Sequence, residues 1–187
     1  MTLSPVIERL EQNPAYLREN WSLPPDAARF LYLLARIGRF RNVLEVGTSV
    51  GYSTLHLAMA ASRNEGRVTS IDASPERQAQ AATHLQEAGL SDCVTLLEGD
   101  ALETLARLQA DRQVFDLMFL DARKSEYIDY LRCAETLLAP GGVLLADNTR
   151  SHREDMLDFI AAVTDTPDWI TSDLDTSNGF ILARKRD

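Results

Sequence analysis

Apolar positions along the chain follow two patterns, a spacing of about 3.6 residues and short continuous runs flanked by turn residues. Residues 3–20 and 25–38 carry the helical spacing. The second stretch, after Pro24 and Pro25, groups Phe30, Leu31, Leu33, Leu34 and Ile37 on a broad apolar face. Residues 42–46 predict a short strand, followed by a glycine-containing turn and a helix over 52–62. A second strand is expected at 67–71, then a helix over 75–88 with Ser74 as N-cap and Pro75 at its first position. A third strand at 94–97 precedes a helix over 101–110 capped by Asp100. Residues 114–120 are nearly all apolar, as in a central strand covered on both faces. The next helix is expected to run to Leu138 and stop at Pro140-Gly141-Gly142, before a fifth strand at 143–146. A helix over 153–164 leads to strands at 169–174 and 180–183, joined by the hairpin signal of residues 175–179.

Strands alternating with helices predict the α/β class: a Rossmann-like, doubly wound sheet of seven strands, mostly parallel, with an antiparallel C-terminal hairpin strand. The length of 187 residues suits a single domain over 1–187, in which residues 1–40 form helices capping the site. Lys and Arg number 19 against 28 Asp and Glu, a net charge of −9 that disfavours nucleic acid and anionic membrane as partners. The one dense basic run, Arg184-Lys185-Arg186, is expected to be a solvated end. Cys93 and Cys133 are expected to be two buried, reduced thiols. The longest apolar run, residues 30–35, is far too short to span a bilayer, so the expectation is a soluble, cytoplasmic protein.

In an open α/β sheet, ligands bind beyond the carboxyl ends of the strands. After the first strand stand Glu45, Gly47, Thr48, Ser49, Gly51 and Ser53. A dinucleotide fingerprint needs G-x-G-x-x-G, and from Gly47 the next two glycine positions hold Ser49 and Tyr52. A carboxylate at Glu45 would repel a pyrophosphate and suits a ligand with an ammonium group. NAD is therefore not expected. The plainer reading is a tight turn that only uses glycine. The same residues spell G-x-S-x-G, with Asp147 and His152 in the order of a serine hydrolase around Ser49. That rival lacks an HGGG-type loop and sits on the wrong strand. Asp72, at the second strand end, is placed to accept hydrogen bonds from ribose hydroxyls, or else is an ordinary helix-start acid. Gly99-Asp100-Ala101 offers a small-residue turn for an adenine ring.

Residues 44–53 resemble motif I of the class I S-adenosylmethionine (SAM)-dependent methyltransferases. They are similar in particular to the cation-dependent catechol and caffeoyl-CoA O-methyltransferases, whose motif reads LE-(apolar)-G-x-x-x-GYS. Residues 115–127 and 141–148 resemble the next two motifs, so that the likeness covers about 20–183. Asp121, Asp147 and Asn148 put three oxygen donors at neighbouring strand ends, a hard-cation set without His or Cys. By residues alone an N-cap at Asp121 and a turn pair at Asp147-Asn148 serve equally well. The resemblance favours the metal, Mg²⁺ first and Mn²⁺ or Ca²⁺ as alternatives. It also implies that Lys124 removes the acceptor's proton. It further implies that Glu45, Gly47, Thr48, Gly51, Ser53, Asp72, Ala101, Asp121 and Tyr127 surround SAM. The implied reaction moves the methyl of SAM to a hydroxyl of a small catechol-like acceptor, in a protein that is often a homodimer. A methyltransferase for another acceptor class, or a module that holds the nucleoside without catalysis, are the rival functions. Ala28 replaces a glycine common in the family, and His152 stands where plant members carry a substrate-contacting asparagine.

Overall fold

A computed structural model describes residues 4–186 of the chain. The helix expected over 3–20 is two helices, α1 (Pro5–Glu11) and α2 (Pro14–Glu19). Pro14 cannot donate into a continuing helix, and Asn13 instead caps α2 by accepting the Tyr16 amide at 3.2 Å. Residue 3, where the expectation began, lies outside the described residues. α3 (Pro25–Ile37) has the expected span but a different inner face. Ala27, Ala28, Leu31, Tyr32 and Ala35 are buried, while Leu33 and Ile37 are 50% and 80% exposed. The small side chains bring α3 close against its neighbouring helix, α4 (Tyr52–Arg63).

The alternating units follow: β1 (Asn42–Val46), α4, β2 (Arg67–Asp72), α5 (Pro75–Glu87), β3 (Val94–Glu98), α6 (Ala101–Ala110) and β4 (Phe115–Leu120). They continue with α7 (Tyr127–Leu137), β5 (Leu138–Asp147), α8 (Leu157–Thr164), β6 (Trp169–Leu174) and β7 (Phe180–Lys185). The caps at Ser74 and Asp100 form as expected, each side-chain oxygen accepting an amide of the first helical turn. One seven-stranded sheet results, in the order β3-β2-β1-β4-β5-β7-β6. β1 to β5 are parallel, and β7 runs antiparallel between β5 and β6. Successive strand residues feed opposite layers. Val43, Leu117, Phe119 and Leu145 pack with α1, α3 and α4, whereas Leu44, Met118, Leu120 and Leu144 pack with α7 and α8.

Two boundaries and the burial of the cysteines differ from expectation. β5 begins at Leu138 and absorbs Pro140-Gly141-Gly142, with a register shift between Phe115 and Leu117 of β4 where that extension starts. Arg184 and Lys185 are no loose end: they belong to β7, and Lys185 Nζ donates to the carbonyls of Glu135 and Leu138 at 2.6 and 3.2 Å. Its charge meets the carboxyl end of α7, where a cation is favoured. Cys93 and Cys133 are free thiols, half-buried rather than fully buried. Strand order reverses about β1 and β4. The crevice between their carboxyl ends is where a ligand site belongs.

Candidate active site

A cavity of about 810 Å³ opens at that reversal. Its floor is the turn after β1. Gly47 adopts φ 107°, and a Cβ there would lie 2.1 Å from the carbonyl oxygen of Asp121, so glycine is required for β1 and β4 to run side by side. Gly51 ends the turn at φ 84°, its missing Cβ leaving room for Ala81 of α5. Thr48 is pinned by its hydroxyl to that of Ser70 at 2.6 Å, and Thr48 and Ser53 line the cavity. Asp72 also lines it. Its carboxylate accepts the backbone amides of Ser49 at 2.7 Å and Ser74 at 2.9 Å, which leaves each oxygen a further lone pair.

Four of the expected residues stand behind the wall. Glu45 is fully buried, its Oε2 accepting the hydroxyls of Thr54 and Ser70, both at 2.6 Å, while Oε1 has no partner. Burial pushes its carboxyl up to about 7 despite those hydroxyl donors. Tyr127 is buried beneath the cavity, donating to the Leu120 carbonyl at 3.0 Å; desolvation holds its phenol well above the usual range. Gly51 shapes the turn without reaching the surface, and at α6 the wall is formed by the cap Asp100 instead of Ala101.

The other end of the cavity gathers the remaining candidates. Asn148, in left-handed backbone at φ 68°, donates one amide group to Asp121 Oδ1 at 2.9 Å and to Asp147 Oδ2 at 2.8 Å. Lys124 Nζ donates to Asp121 Oδ1 at 3.0 Å and lies over the Tyr127 ring. Asp147 Oδ1 is buried with no partner. Burial raises the Asp147 carboxyl to about 7, with the Asp121 charge adding to the effect. Burial raises Asp121 as well, against the pull of Lys124. His152 lines the mouth, its Nδ1 3.1 Å from Ser151 Oγ.

A family model described as O-methyltransferase matches residues 3–156. The chain belongs to the O-methyltransferase family. Catechol O-methyltransferase from Niastella koreensis is 37% identical over 128 residues, 68% of this chain and 58% of that protein. Catechol O-methyltransferase from Mycobacterium tuberculosis is 40% identical over 120 residues, 64% of this chain and 53% of that protein. The chain thus spans little more than half the length of these two relatives. Among solved structures, the O-methyltransferase from Bacillus cereus in complex with SAH superposes with a TM-score of 0.87 at 30% identity, over 97% of this chain and 90% of that one. The Streptomyces achromogenes O-methyltransferase involved in tomaymycin synthesis, in complex with SAM, gives 0.85 at 28% identity, over 98% and 90%.

Within this O-methyltransferase fold the serine-hydrolase constellation does not assemble. Ser49 Oγ donates to the Asn20 carbonyl at 2.7 Å, Asp147 pairs with Asn148, and His152 pairs with Ser151. His56 and His84 hold backbone carbonyls of Tyr52 and Val50. Sequence reasoning passed over the wall contributed by residues 21–24, where Trp21 is 72% exposed and stacked under the Arg77 guanidinium at 4.5 Å. A tryptophan directly before Ser22, Leu23 and two prolines, outside any apolar face, was the available signal. Arg18, Arg77 and Arg123 at the rim are dispersed in sequence and gave none.

Proposed function

We propose that the protein is a divalent-cation-dependent O-methyltransferase, transferring a methyl group from SAM to one hydroxyl of a small acceptor with two neighbouring oxygens, as in a catechol. The observation that carries this reading is the pair formed by the buried Asp147 and the half-buried Asp121, joined by one amide group and left with an unpartnered oxygen at the cavity base. Two carboxylates this close, both raised by burial, call for more positive charge than Lys124 supplies. The Asn148 amide group marks where that charge is wanted; turned over, so that Oδ1 leaves the Ser151 hydroxyl and faces the carboxylates, Asn148 would complete an all-oxygen donor set that selects a hard cation such as Mg²⁺. Asp121, Asp147 and Asn148 would hold it. Bound there, it would supply Lewis acidity toward the acceptor oxygens.

SAM supplies a methyl group on a sulfonium centre. The chain's part is to position the reactants and move one proton. The free lone pairs of Asp72 suit ribose hydroxyls, and the turn from Gly47 to Ser53 bears on the rest of the nucleoside. Trp21, Leu23 and Pro24 exclude water from the side of residues 1–40. Lys124, held at the cavity base by Asp121, would act as an uncharged amine whose Nζ lone pair takes the proton of the acceptor hydroxyl. A cavity of about 810 Å³ has room for the nucleoside and a small acceptor.

Titration calorimetry of Mg²⁺ into the wild-type chain and into Asp147→Asn tests the cation directly. Saturable binding that the variant loses is expected. No binding by the wild-type chain, or equal binding by both, contradicts the reading.

A further inference from the structure

A second depression lies at the opposite end of the sheet. Arg41 precedes β1, whose far end carries Gly47, and Arg63 closes α4, whose first residues line the catalytic cavity. The depression holds about 350 Å³ and is lined by Arg36, Arg39, Arg41, Arg63, Asn64 and Glu65. Four guanidinium groups thus surround one hollow in a chain of net charge −9.

Among the described residues none of these four has a carboxylate within ion-pair distance, whereas Arg9, Arg29, Arg123, Arg132 and Arg150 each do. Neutral partners hold them in place. Arg36 donates to the Asn64 side-chain carbonyl, Arg41 to the backbone carbonyl of Glu65 at 3.3 Å, and Arg63 to the Tyr32 hydroxyl at 2.6 Å. Asn64 in turn donates to the carbonyls of Ala35 and Phe40, both at 2.9 Å, which fixes the connection after α3 against the end of α4. Among the described residues the Arg39 side chain has no hydrogen-bond or ion-pair partner, and it projects from left-handed backbone at φ 52°.

Helix capping accounts for part of this cluster. Arg36 and Arg63 lie in the last turns of α3 and α4, where each helix end presents roughly half a negative charge. Those two ends, Glu65 and Asp116, whose carboxylate accepts the backbone amides of Arg41 and Asn42 at 2.7 and 2.9 Å, offset about three of the four positive charges. The hollow keeps about one net positive charge, with Arg39 standing outside the helices.

We propose that this hollow is a binding site for a small, multiply charged oxyanion of the phosphate or pyrophosphate type. Guanidinium forks donate paired hydrogen bonds to such groups, and Arg36, Arg41 and Arg63 are already fixed by neutral partners. The volume stands near the small end of ligand sites, roughly 300–1,000 Å³, which fits a phosphoryl group better than a cofactor. An extended nucleic-acid backbone would need a basic stripe, and here the four arginines enclose one small hollow in an acidic chain. The site is independent of the methyl-transfer chemistry proposed above.

Calorimetric titration of pyrophosphate into the full chain, in metal-free buffer, tests the assignment. The variants are Arg39→Gln, Arg39→Gln/Arg41→Gln, and Arg123→Gln at the catalytic rim. Both target side chains are exposed, so folding should be little changed. One saturable site is expected, weakened about tenfold by the single substitution and further by the double, and unchanged by Arg123→Gln. No saturable binding overturns the proposal, as does undiminished binding by the double variant or loss in Arg123→Gln. A single-stranded oligonucleotide that binds more tightly than pyrophosphate through the same arginines also overturns it.

Discussion

Lys124 Nζ meets Asp121 at 3.0 Å, the Tyr127 hydroxyl at 3.5 Å and the face of the Tyr127 ring, and together these place it at the cavity base. If it is the base, Lys124→Ala should lower kcat by about a hundredfold or more, with KM little changed. Lys124→Arg should keep the pairing with Asp121 and not recover kcat, because a guanidinium does not give up its proton. Steady-state kinetics of the two variants check this; a raised KM with kcat preserved would instead mark a residue that only binds charge. Glu45 makes a different prediction. Its carboxyl is raised to about 7 in the fold, so its contribution to stability is full below about 4.5, the ordinary carboxylate value, and is lost as pH rises through 7. Glu45→Gln keeps an acceptor for Thr54 and Ser70 without the buried charge. Its melting temperature should rise relative to wild type as pH goes from 5 to 8, corresponding to roughly 3 kcal/mol at the upper end. Parallel wild-type and variant melting curves across that range would contradict the assignment. These residues were legible because strand ends are conspicuous in sequence. Whether a side chain at a strand end meets the cavity or the core behind it was not, and Glu45, Tyr127 and Ala101 show the difference.

At the level of elements, the central strands were legible as apolar runs, since a strand covered on both faces leaves little choice of composition, and the half-exposed edge strand β6 was located by the hairpin signal beside it. The misses have local causes. Pro14 breaks a helix that its apolar spacing continues across. The α3 face was misjudged because large apolar residues were weighed above the alanines that allow close packing. β5 runs through a proline and two glycines because pairing with Phe115 begins before the register shift. The connection between α2 and α3 was the least legible part of the site, since its role depends on folding back over β1. Trp21→Ala tests that role. The side chain is 72% exposed, so thermal stability should barely change, while SAH affinity in calorimetry should fall by about fivefold with loss of roughly 1 kcal/mol of stacking on Arg77 and the cavity wall. Unchanged affinity would remove this segment from the nucleoside site.

For the whole molecule, the sheet order brings residues 121, 147 and 148 together from the ends of β4 and β5, at the cost of setting two like charges side by side, Asp147 buried and Asp121 half-buried. Asp147, raised to about 7, contributes stability that is present at low pH and lost as pH rises through 7, and Asp121 adds in the same direction. A cation that binds the ionised pair should reverse that loss. Added Mg²⁺ should therefore raise the melting temperature more at pH 8 than at pH 6, and Asp147→Asn should abolish the difference. The acidic surface, by contrast, was fully legible from composition, and among the described residues no helix is long and apolar enough to cross a membrane. What composition did not show was the separation of charge, with Asp121 and Asp147 at the carboxyl ends of β4 and β5 and, at the opposite end of the sheet, four arginines held by no ion pair among the described residues. The most direct test of the proposed function is the transfer of radiolabelled methyl from SAM to a panel of vicinal diphenols, measured with Mg²⁺, with excess chelator, and after Mg²⁺ is restored. Labelled methyl ether should form with Mg²⁺, cease under the chelator and resume on restoration. Transfer at an unchanged rate under the chelator, or none to any diphenol with Mg²⁺ present, would contradict a cation-dependent O-methyltransferase.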